Sequence, residues 1–175
     1  PGEYTLLGRT RDDAAGEAHD KVAKLVGLGY PGGPVVDQLA QRGDDRAVAF
    51  PKTRLKHADR NAPNLPGTRD FRFSGLKTSV SRHVRQHRAA LGLQEFDALP
   101  DKDLVDICAS FQRTVVETLL DRLFEAARTE RARSVGIAGG VSANSRLRHD
   151  ASARALTLDL PVYLPGLALS TDNAA

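Results

Sequence analysis

The spacing of apolar residues near the start of the chain predicts two helices. Apolar side chains recur every three or four positions over residues 15–26, and the glycines that follow end the pattern. Thr10 and Asp13 lie just ahead of this stretch and imitate a capping box. A second, shorter helix is predicted over residues 34–39, because proline suits the first position of a helix and Gly43 can end one.

Two longer helices are predicted in the middle of the chain, each with one apolar face. Ser74 can cap the first, and Pro100 with Asp101 can start the second. The apolar face of the first comprises Leu76, Val80, Val84 and Leu91, with Arg82, Arg85 and Arg88 off that face. The apolar face of the second comprises Leu104, Ile107, Phe111, Val115, Leu119 and Leu123. Both helices are therefore expected to pack one side on a core.

Short apolar runs predict strands at residues 4–10, 70–73, 135–138 and 162–164. A last helix is expected between the final two strands, from residue 144 to about residue 156. Residues 50–68 are polar and contain three prolines, which is typical of an extended loop. Strands that alternate with helices in this way predict an α/β fold.

The composition narrows the class of protein. The chain has 175 residues, of which 41% are hydrophobic and 27% are charged, as in a soluble globular domain with a real core. No apolar run approaches the length needed to cross a bilayer, and residues 1–4 lack the pattern of a signal peptide. The one cysteine, Cys108, falls at helical spacing beside apolar residues. We expect it to be a buried small hydrophobe in a protein of the reducing cytoplasm.

Positive charge is concentrated in one segment. Residues 46–88 hold eleven Lys and Arg against two Asp, so this basic band carries +9 while the rest of the chain carries −6. A basic segment in an otherwise acidic protein is the pattern expected for a nucleic-acid partner. A solvated arginine-rich surface explains the same charge, and the residues alone leave both interpretations open.

The segment around residues 134–148 is a candidate ligand site. A short buried strand leads into Gly139 and Gly140, and a helix follows. Glycines can take positive φ and leave room for a ligand, and the helix start offers free N–H groups to a phosphate. Asn144 adds a side chain that can donate and accept. A plain strand-to-helix turn remains the alternative.

Five ordered segments resemble the motifs of one known family. They are residues 12–23 (DDAAGEAHDKVA), 28–34 (LGYPGGP), 73–78 (FSGLKT), 139–148 (GGVSANSRLR) and 170–174 (STDNA). They resemble blocks of the TsaD family, also called Gcp, the tRNA threonylcarbamoyladenosine synthases. The match is specific because the blocks span nearly the whole chain. One departure is His19, where the family usually carries an aromatic or large apolar residue.

The resemblance implies a two-lobed, ribonuclease-H-like fold shared with actin, Hsp70 chaperones and sugar kinases. Family members carry a phosphate-binding hairpin and a His-x-x-x-His metal motif before the first block, so we expect the chain to be a clipped C-terminal portion. Residues 1–45 would then end the N-terminal lobe and hold an adenylate-binding loop. Residues 46–130 would form a basic loop and helical region, and residues 131–175 a truncated C-terminal nucleotide-binding lobe.

The activity that the resemblance implies is transfer of a threonylcarbamoyl group from threonylcarbamoyl-adenylate to tRNA. The acceptor is the exocyclic amine of the adenosine 3′ to the anticodon in tRNAs that read codons beginning with A. Asp20, Gly33, Asp37 and Asn144 match positions where the family binds the adenylate. A glycine allows close backbone approach, and a carboxylate can accept both hydroxyls of a ribose. No residue stands out as a general base.

The resemblance also implies a divalent metal, Fe²⁺ or Zn²⁺, with Asp172 as one ligand. Two histidines of the upstream motif would complete that site, because such metals need three or more protein ligands. His83 and His87 copy the spacing of a metal motif, but they follow the third block and lie among arginines. We expect them to belong to a solvated basic helix.

Partners follow from the resemblance as well. Bacterial relatives work with the non-catalytic paralogue TsaB and the ATPase TsaE, and tRNA is the substrate. A non-catalytic nucleotide-binding scaffold or regulator of the same superfold is the alternative function. The paralogue lacks the metal aspartate and the YPGGP loop. Both are present here, which favours the transferase.

Overall fold

A computed structural model describes residues 2–55, 57–58, 60, 63–65, 67–167 and 170. The elements in this part of the chain are α1 Ala15–Leu25, α2 Gly32–Ala40, α3 Ser74–Ala90, α4 Asp101–Thr129, β1 Val135–Gly136, a 3₁₀ turn at Gly140–Ala143, α5 Ser145–Leu158 and β2 Val162–Tyr163. β1 and β2 are parallel, and Val135 lies opposite Val162. The α/β class predicted from the sequence is therefore confirmed.

The long helix α4 joins two hydrophobic clusters. The first cluster packs α1, α2 and α3 against the N-terminal half of α4, around Ile107 and Phe111. The second packs β1 and α5 against the C-terminal half, around Leu120 and Phe124. The sequence predicts one apolar face for α4, but the helix is buried on more than one side because α2 and α5 both pack on it. Cys108 is fully buried, and burial raises the pKa of its thiol to about 12.

The start of α3 is capped from a distant part of the chain. Oδ1 of Asp12 accepts hydrogen bonds from the backbone N–H of Phe73 at 2.9 Å and of Ser74 at 3.3 Å, and Oδ2 accepts from the Ser74 hydroxyl. Partial burial opposes ionisation, but the hydrogen bonds from Ser74 and Phe73 outweigh it and hold the pKa of Asp12 below its ordinary value. Ser74 is thus the first helical residue and not the predicted cap.

Two predicted strands and a second predicted cap are also wrong. Residues 4–10 and 70–73 form only an isolated bridge between Thr10 and Phe71. A strand needs a neighbour along its length, and Tyr4 is 96% exposed with no such neighbour among the described residues. The Thr10 hydroxyl donates to the carbonyl oxygen of Asp13 at 2.8 Å, so it does not accept from the N-terminus of α1. Leu91 lies beyond the end of α3 and is exposed.

Candidate functional site

A cavity of about 1010 Å³ lies between α1, α2, α4 and the turn that precedes α5. Asp20, Gly33, Asp37 and Asn144 all line it, although they are spread over more than 120 positions of the chain. The structure therefore brings all four predicted ligand-binding residues together. Their role in binding stays a prediction.

One side of the cavity is apolar. Its apolar lining residues come mainly from the middle of α4 and the segment after β1, and include Phe71, Leu119, Leu123, Ile137 and Val141. An apolar wall with a few converging polar groups is the usual construction of a small-molecule site. The lining thus suits a ligand with one flat apolar part and one polar part, such as a nucleoside.

Asp20 holds α1 and α2 together at the edge of the cavity. Its Oδ1 accepts from the backbone N–H of Gly32 at 2.8 Å, which satisfies one of the free N–H groups at the start of α2. The next residue, Gly33, has nothing within 4 Å of the place where a side chain would begin. The backbone at Gly33 is therefore bare on the cavity side and open to a ligand.

Asp37 lies at the N-terminus of α5. Its Oδ2 accepts from the backbone N–H of Ser145 at 3.0 Å, and its Oδ1 accepts from the Ser145 hydroxyl at 2.7 Å and from Gln112 at 3.0 Å. A carboxylate has about four lone pairs, so these three bonds leave about one for a ligand. Asp37 as it stands has too few free lone pairs to accept the two ribose hydroxyls that the sequence predicts for it.

Asn144 ends the glycine turn and caps α5. Gly139 has φ of 88°, as predicted for a glycine at this turn, whereas Gly140 does not. The Asn144 Oδ1 accepts from the backbone N–H of Leu147 at 2.9 Å, and its Nδ2 donates to Oε1 of Gln112 at 2.9 Å. The residue is 9% exposed and lines the cavity.

The start of α5 is not the open anion site that the sequence predicts. Two of its N–H groups are already bonded, Ser145 to Asp37 and Leu147 to Asn144. The Asp37 carboxylate occupies the place where helix N–H groups would hold a phosphate, and a second anion there would be repelled. A phosphate bound in the cavity has to lie elsewhere.

Gln112 is a residue of this site that the sequence analysis does not identify. It is 3% exposed and bridges Asp37 to Asn144. The available signal is a long polar side chain directly after the run of apolar and small residues from Ile107 to Phe111. A buried amide of this kind needs polar partners, which here are two of the predicted ligand-binding residues.

Comparison with known proteins places the chain in a family. The model of the TsaD family, tRNA N6-adenosine threonylcarbamoyltransferase, matches residues 2–175. The chain belongs to the TsaD family. Proteins with that name include one from Koribacter versatilis (strain Ellin345), 48% identical over 98% of this chain and 50% of its own length. Another, from Anaeromyxobacter dehalogenans (strain 2CP-1), is 49% identical over 99% of this chain and 47% of its own length.

The chain spans about half the length of these curated relatives. A third relative of the same name, from Thermodesulfovibrio yellowstonii, is 47% identical and is covered to the same extent, 47% of its length. This chain, which corresponds to about half of each relative, contains all five sequence blocks that resemble the TsaD family. Within the described residues, no helix has both the length and the hydrophobicity needed to cross a membrane.

His19, the departure from the TsaD pattern, is a buried member of the site. Its ring meets Phe111 edge to face, with centroids 5.1 Å apart, and Nδ1 lies 2.8 Å from the carbonyl oxygen of Ala15. Nε2 is buried and has no hydrogen-bond partner among the described residues. Desolvation is the main cause that lowers the pKa of His19, so the ring is held neutral. The packing beside Asp20 is thus close, at the expense of one unsatisfied nitrogen.

The metal ligand that the TsaD resemblance implies, Asp172, lies outside the described residues. Among the residues that are described, no three or more His, Cys, Asp or Glu side chains are grouped as metal ligands. His83 and His87 stack with ring centroids 5.8 Å apart. His83 also contacts Phe50, and Nε2 of His87 lies 3.1 Å from a carboxylate oxygen of Asp103. Both rings are therefore engaged within the protein.

The basic band is not one continuous free surface. Several of its cations form ion pairs, mostly with acidic residues of α4: Lys52 with Glu117 and Asp121, Arg54 with Glu125, Arg69 with Glu130, and Arg72 with Asp12. On α3, by contrast, Arg82 and Arg85 are exposed and have no ion pair with any described residue. The free positive charge of the band is thus centred on α3.

Proposed function

We propose that the full-length protein transfers a threonylcarbamoyl group from threonylcarbamoyl-adenylate to tRNA. The acceptor is the exocyclic amine of the adenosine 3′ to the anticodon in tRNAs that read codons beginning with A. Relatives that match nearly the whole chain are named tRNA N6-adenosine threonylcarbamoyltransferase, and this supports the proposal. The non-catalytic alternative has no comparable support.

The observation that carries the proposal is the convergence of four residues on one cavity. Asp20 and Asp37 come from α1 and α2, Gly33 from the start of α2, and Asn144 from the turn before α5. The cavity offers an apolar wall, two carboxylates, an amide and bare backbone. Those features suit the base, the ribose and the phosphate of an adenylate.

In the transfer, the amine nitrogen forms a bond to the carbamoyl carbon, and the bond from that carbon to the phosphate oxygen breaks. AMP leaves, and the amine loses a proton. The chain's own residues hold the leaving group in place for this step. We propose that the free lone pair of Asp37 accepts one ribose hydroxyl and that Asn144 bonds the nucleoside. The phosphate would lie by Gly33 and Gly139, away from the carboxylate at the start of α5.

A divalent metal, Fe²⁺ or Zn²⁺, would polarise the carbamoyl carbonyl when bound. The described residues do not by themselves form a site for such an ion. We propose Asp172 as one ligand of this metal. The other ligands would be residues outside this chain. None of the residue roles given above depends on the metal.

The wider setting follows from the same family. We propose that the protein adopts the ribonuclease-H-like superfold, in which this chain supplies the end of one lobe, a helical stretch and most of the other. It would act in the cytoplasm with a TsaB-like paralogue and a TsaE-like ATPase. The exposed arginines of α3 are the part of the basic band that we propose for contact with the tRNA backbone.

Replacement of Gly33 by alanine in the full-length protein tests the adenylate site. A Cβ at Gly33 meets no protein atom within 4 Å, so the fold should be unchanged. If the adenylate lies against this backbone, the methyl group should weaken AMP binding by about tenfold or more, as the loss of one good contact does. Gly29→Ala is the matched control, because it too meets nothing within 4 Å and lies outside the cavity. Equal AMP binding in the two variants would contradict the proposal.

A further inference from the structure

Gln112 of α4 bridges Asp37 of α2 to Asn144 at the start of α5, beside the direct hydrogen bonds from Ser145 to Asp37. From α4, its Nε2 donates to Oδ1 of Asp37 at 3.0 Å, and its Oε1 accepts from Nδ2 of Asn144 at 2.9 Å. At 3% exposure, the amide is shielded from water. Hydrogen bonds in such a setting are strong, and an unpaired group there is costly.

The chemistry at both ends of this bridge fixes the direction of every amide in it. A carboxylate offers only acceptors, so the amino group of Gln112 must face Asp37. Its oxygen then faces Asn144, whose amino group has to donate. At the far end, the backbone N–H of Leu147 donates to Oδ1 of Asn144 at 2.9 Å. No other orientation satisfies all three contacts.

The bridge therefore decides what Asn144 presents to the cavity. An asparagine amide has two N–H groups and two oxygen lone pairs. Gln112 uses one N–H and Leu147 one lone pair, which leaves one donor and one acceptor for a ligand. If the Asn144 amide turned over, donor and acceptor would exchange places in the cavity.

We infer that Gln112 is a positioning residue for the nucleotide. Together with Leu147 it sets the direction of the Asn144 amide, and together with Ser145 it holds the Asp37 carboxylate, without touching the ligand itself. This inference rests on the proposed function, because it identifies the cavity with the adenylate site.

Two variants of the full-length protein test it, with AMP as the probe in calorimetry. Gln112→Glu keeps the shape and the acceptor for Asn144 but loses the donor to Asp37. Gln112→Met keeps the length and loses both bonds. Each should weaken AMP binding about 10- to 100-fold, the effect of losing a hydrogen bond to a charged group. Thr118→Val is the control, since Thr118 is buried on the same helix and its hydroxyl donates to the carbonyl oxygen of Thr114 within that helix.

The pH profile separates positioning from a general loss of packing. In Gln112→Glu two carboxylates face each other, and the repulsion raises the pKa of one, so that at acid pH it carries a proton that can again be donated. AMP affinity should then recover between about pH 8 and about pH 5 in the Glu variant and not in the Met variant, because only a carboxyl group can regain a donor. Among the described residues, the other charged or titratable groups that line the cavities beside the network are Glu17, His19, Asp20, Asp44, Asp45, Arg146 and His149. AMP affinity is therefore also measured for wild-type protein and Thr118→Val at each pH. These measurements show how much titration of these groups and of AMP itself changes the affinity.

The AMP-binding results distinguish failure of the proposed function from failure of the inference about Gln112. Wild-type protein that binds AMP no better than Gly33→Ala would overturn the proposed function, and the inference with it. If the wild-type protein binds AMP and both Gln112 variants bind it equally well, the inference alone is overturned. The same holds if both variants are weakened equally at every pH, since that result indicates only lost packing.

Discussion

Replacing Gly32 by alanine tests how closely α1 and α2 pack beneath the cavity. An added Cβ would lie 2.7 Å from the Cβ of Ala23, 2.7 Å from the Cα of Asp20 and 2.9 Å from the carbonyl oxygen of His19. Ordinary contacts of this kind are 3.4–4 Å. Two of the three neighbours are backbone atoms and the third is a methyl group, so none can swing aside. The two helices would have to separate.

The expected cost follows from that forced separation. Overpacking by one methyl group in a tight contact costs about 1–3 kcal/mol. The gain of alanine over glycine, about 0.5–1 kcal/mol in the middle of a helix, is returned only in small part at Gly32, because Gly32 is the first residue of α2. A net loss of about 1–2 kcal/mol would lower the melting temperature by about 2–8 °C for a domain of this size. The 2.8 Å bond between Asp20 and the N–H of Gly32 would also lengthen.

Denaturant and thermal unfolding of the full-length protein would measure this cost. Gly33→Ala is the matched control, one position further along the same helix, because its Cβ meets nothing within 4 Å. The control should stay within about 0.5 kcal/mol of wild type, as surface substitutions usually do. If Gly32→Ala proved as stable as Gly33→Ala, the close packing of α1 on α2 described here would be refuted.

Three further predictions concern other parts of the chain. Desolvation holds the pKa of His19 below its ordinary value of 6.5, so the unfolded chain gains a proton that the folded chain does not. Stability should fall as the pH drops below about 6.5, and it should fall less in His19→Phe when denaturant titrations are compared. Charge reversal at Arg82 and Arg85 should weaken tRNA binding and flatten the log–log salt slope by about 0.9 or less per lost phosphate contact, and an unchanged slope would indicate a merely solvated surface. In metal analysis of the full-length protein, Asp172→Ala should lose metal while His87→Ala should not, and the reverse result would overturn the metal assignment.

Sequence patterns predicted the helices well because their apolar spacing is regular. The helix predicted over residues 15–26 is observed as Ala15–Leu25, and the start of α4 after Pro100 is as expected. The strands at residues 135–138 and 162–164 are observed in shortened form. The strand at residues 4–10 was wrong because an apolar run indicates a strand only when another strand lies beside it, and local sequence does not contain that information.

The candidate site was likewise predicted in part and missed in part. Motifs identified Asp20, Gly33, Asp37 and Asn144, and all four line one cavity. Motifs did not reveal that the carboxylate of Asp37 would fill the start of α5, because that contact joins residues 108 positions apart. Gln112 was missed for the same reason, since its partners lie 75 and 32 positions away. Side-chain contacts over such distances depend on how the helices pack.

The cavity lies between the two hydrophobic clusters, and this explains why polar residues hold its edges. Among the elements that the structure describes, α4 alone contributes to both clusters, so α2 and α5 approach each other without an apolar core between them. Their contact is made instead by Asp37, Ser145 and the bridging Gln112. Hydrogen bonds of this kind fix direction closely yet contribute less to stability than burial of large side chains. Hydrogen bonds therefore set the positions of the polar groups at the edge of the cavity, while the two hydrophobic clusters on either side supply most of the stability.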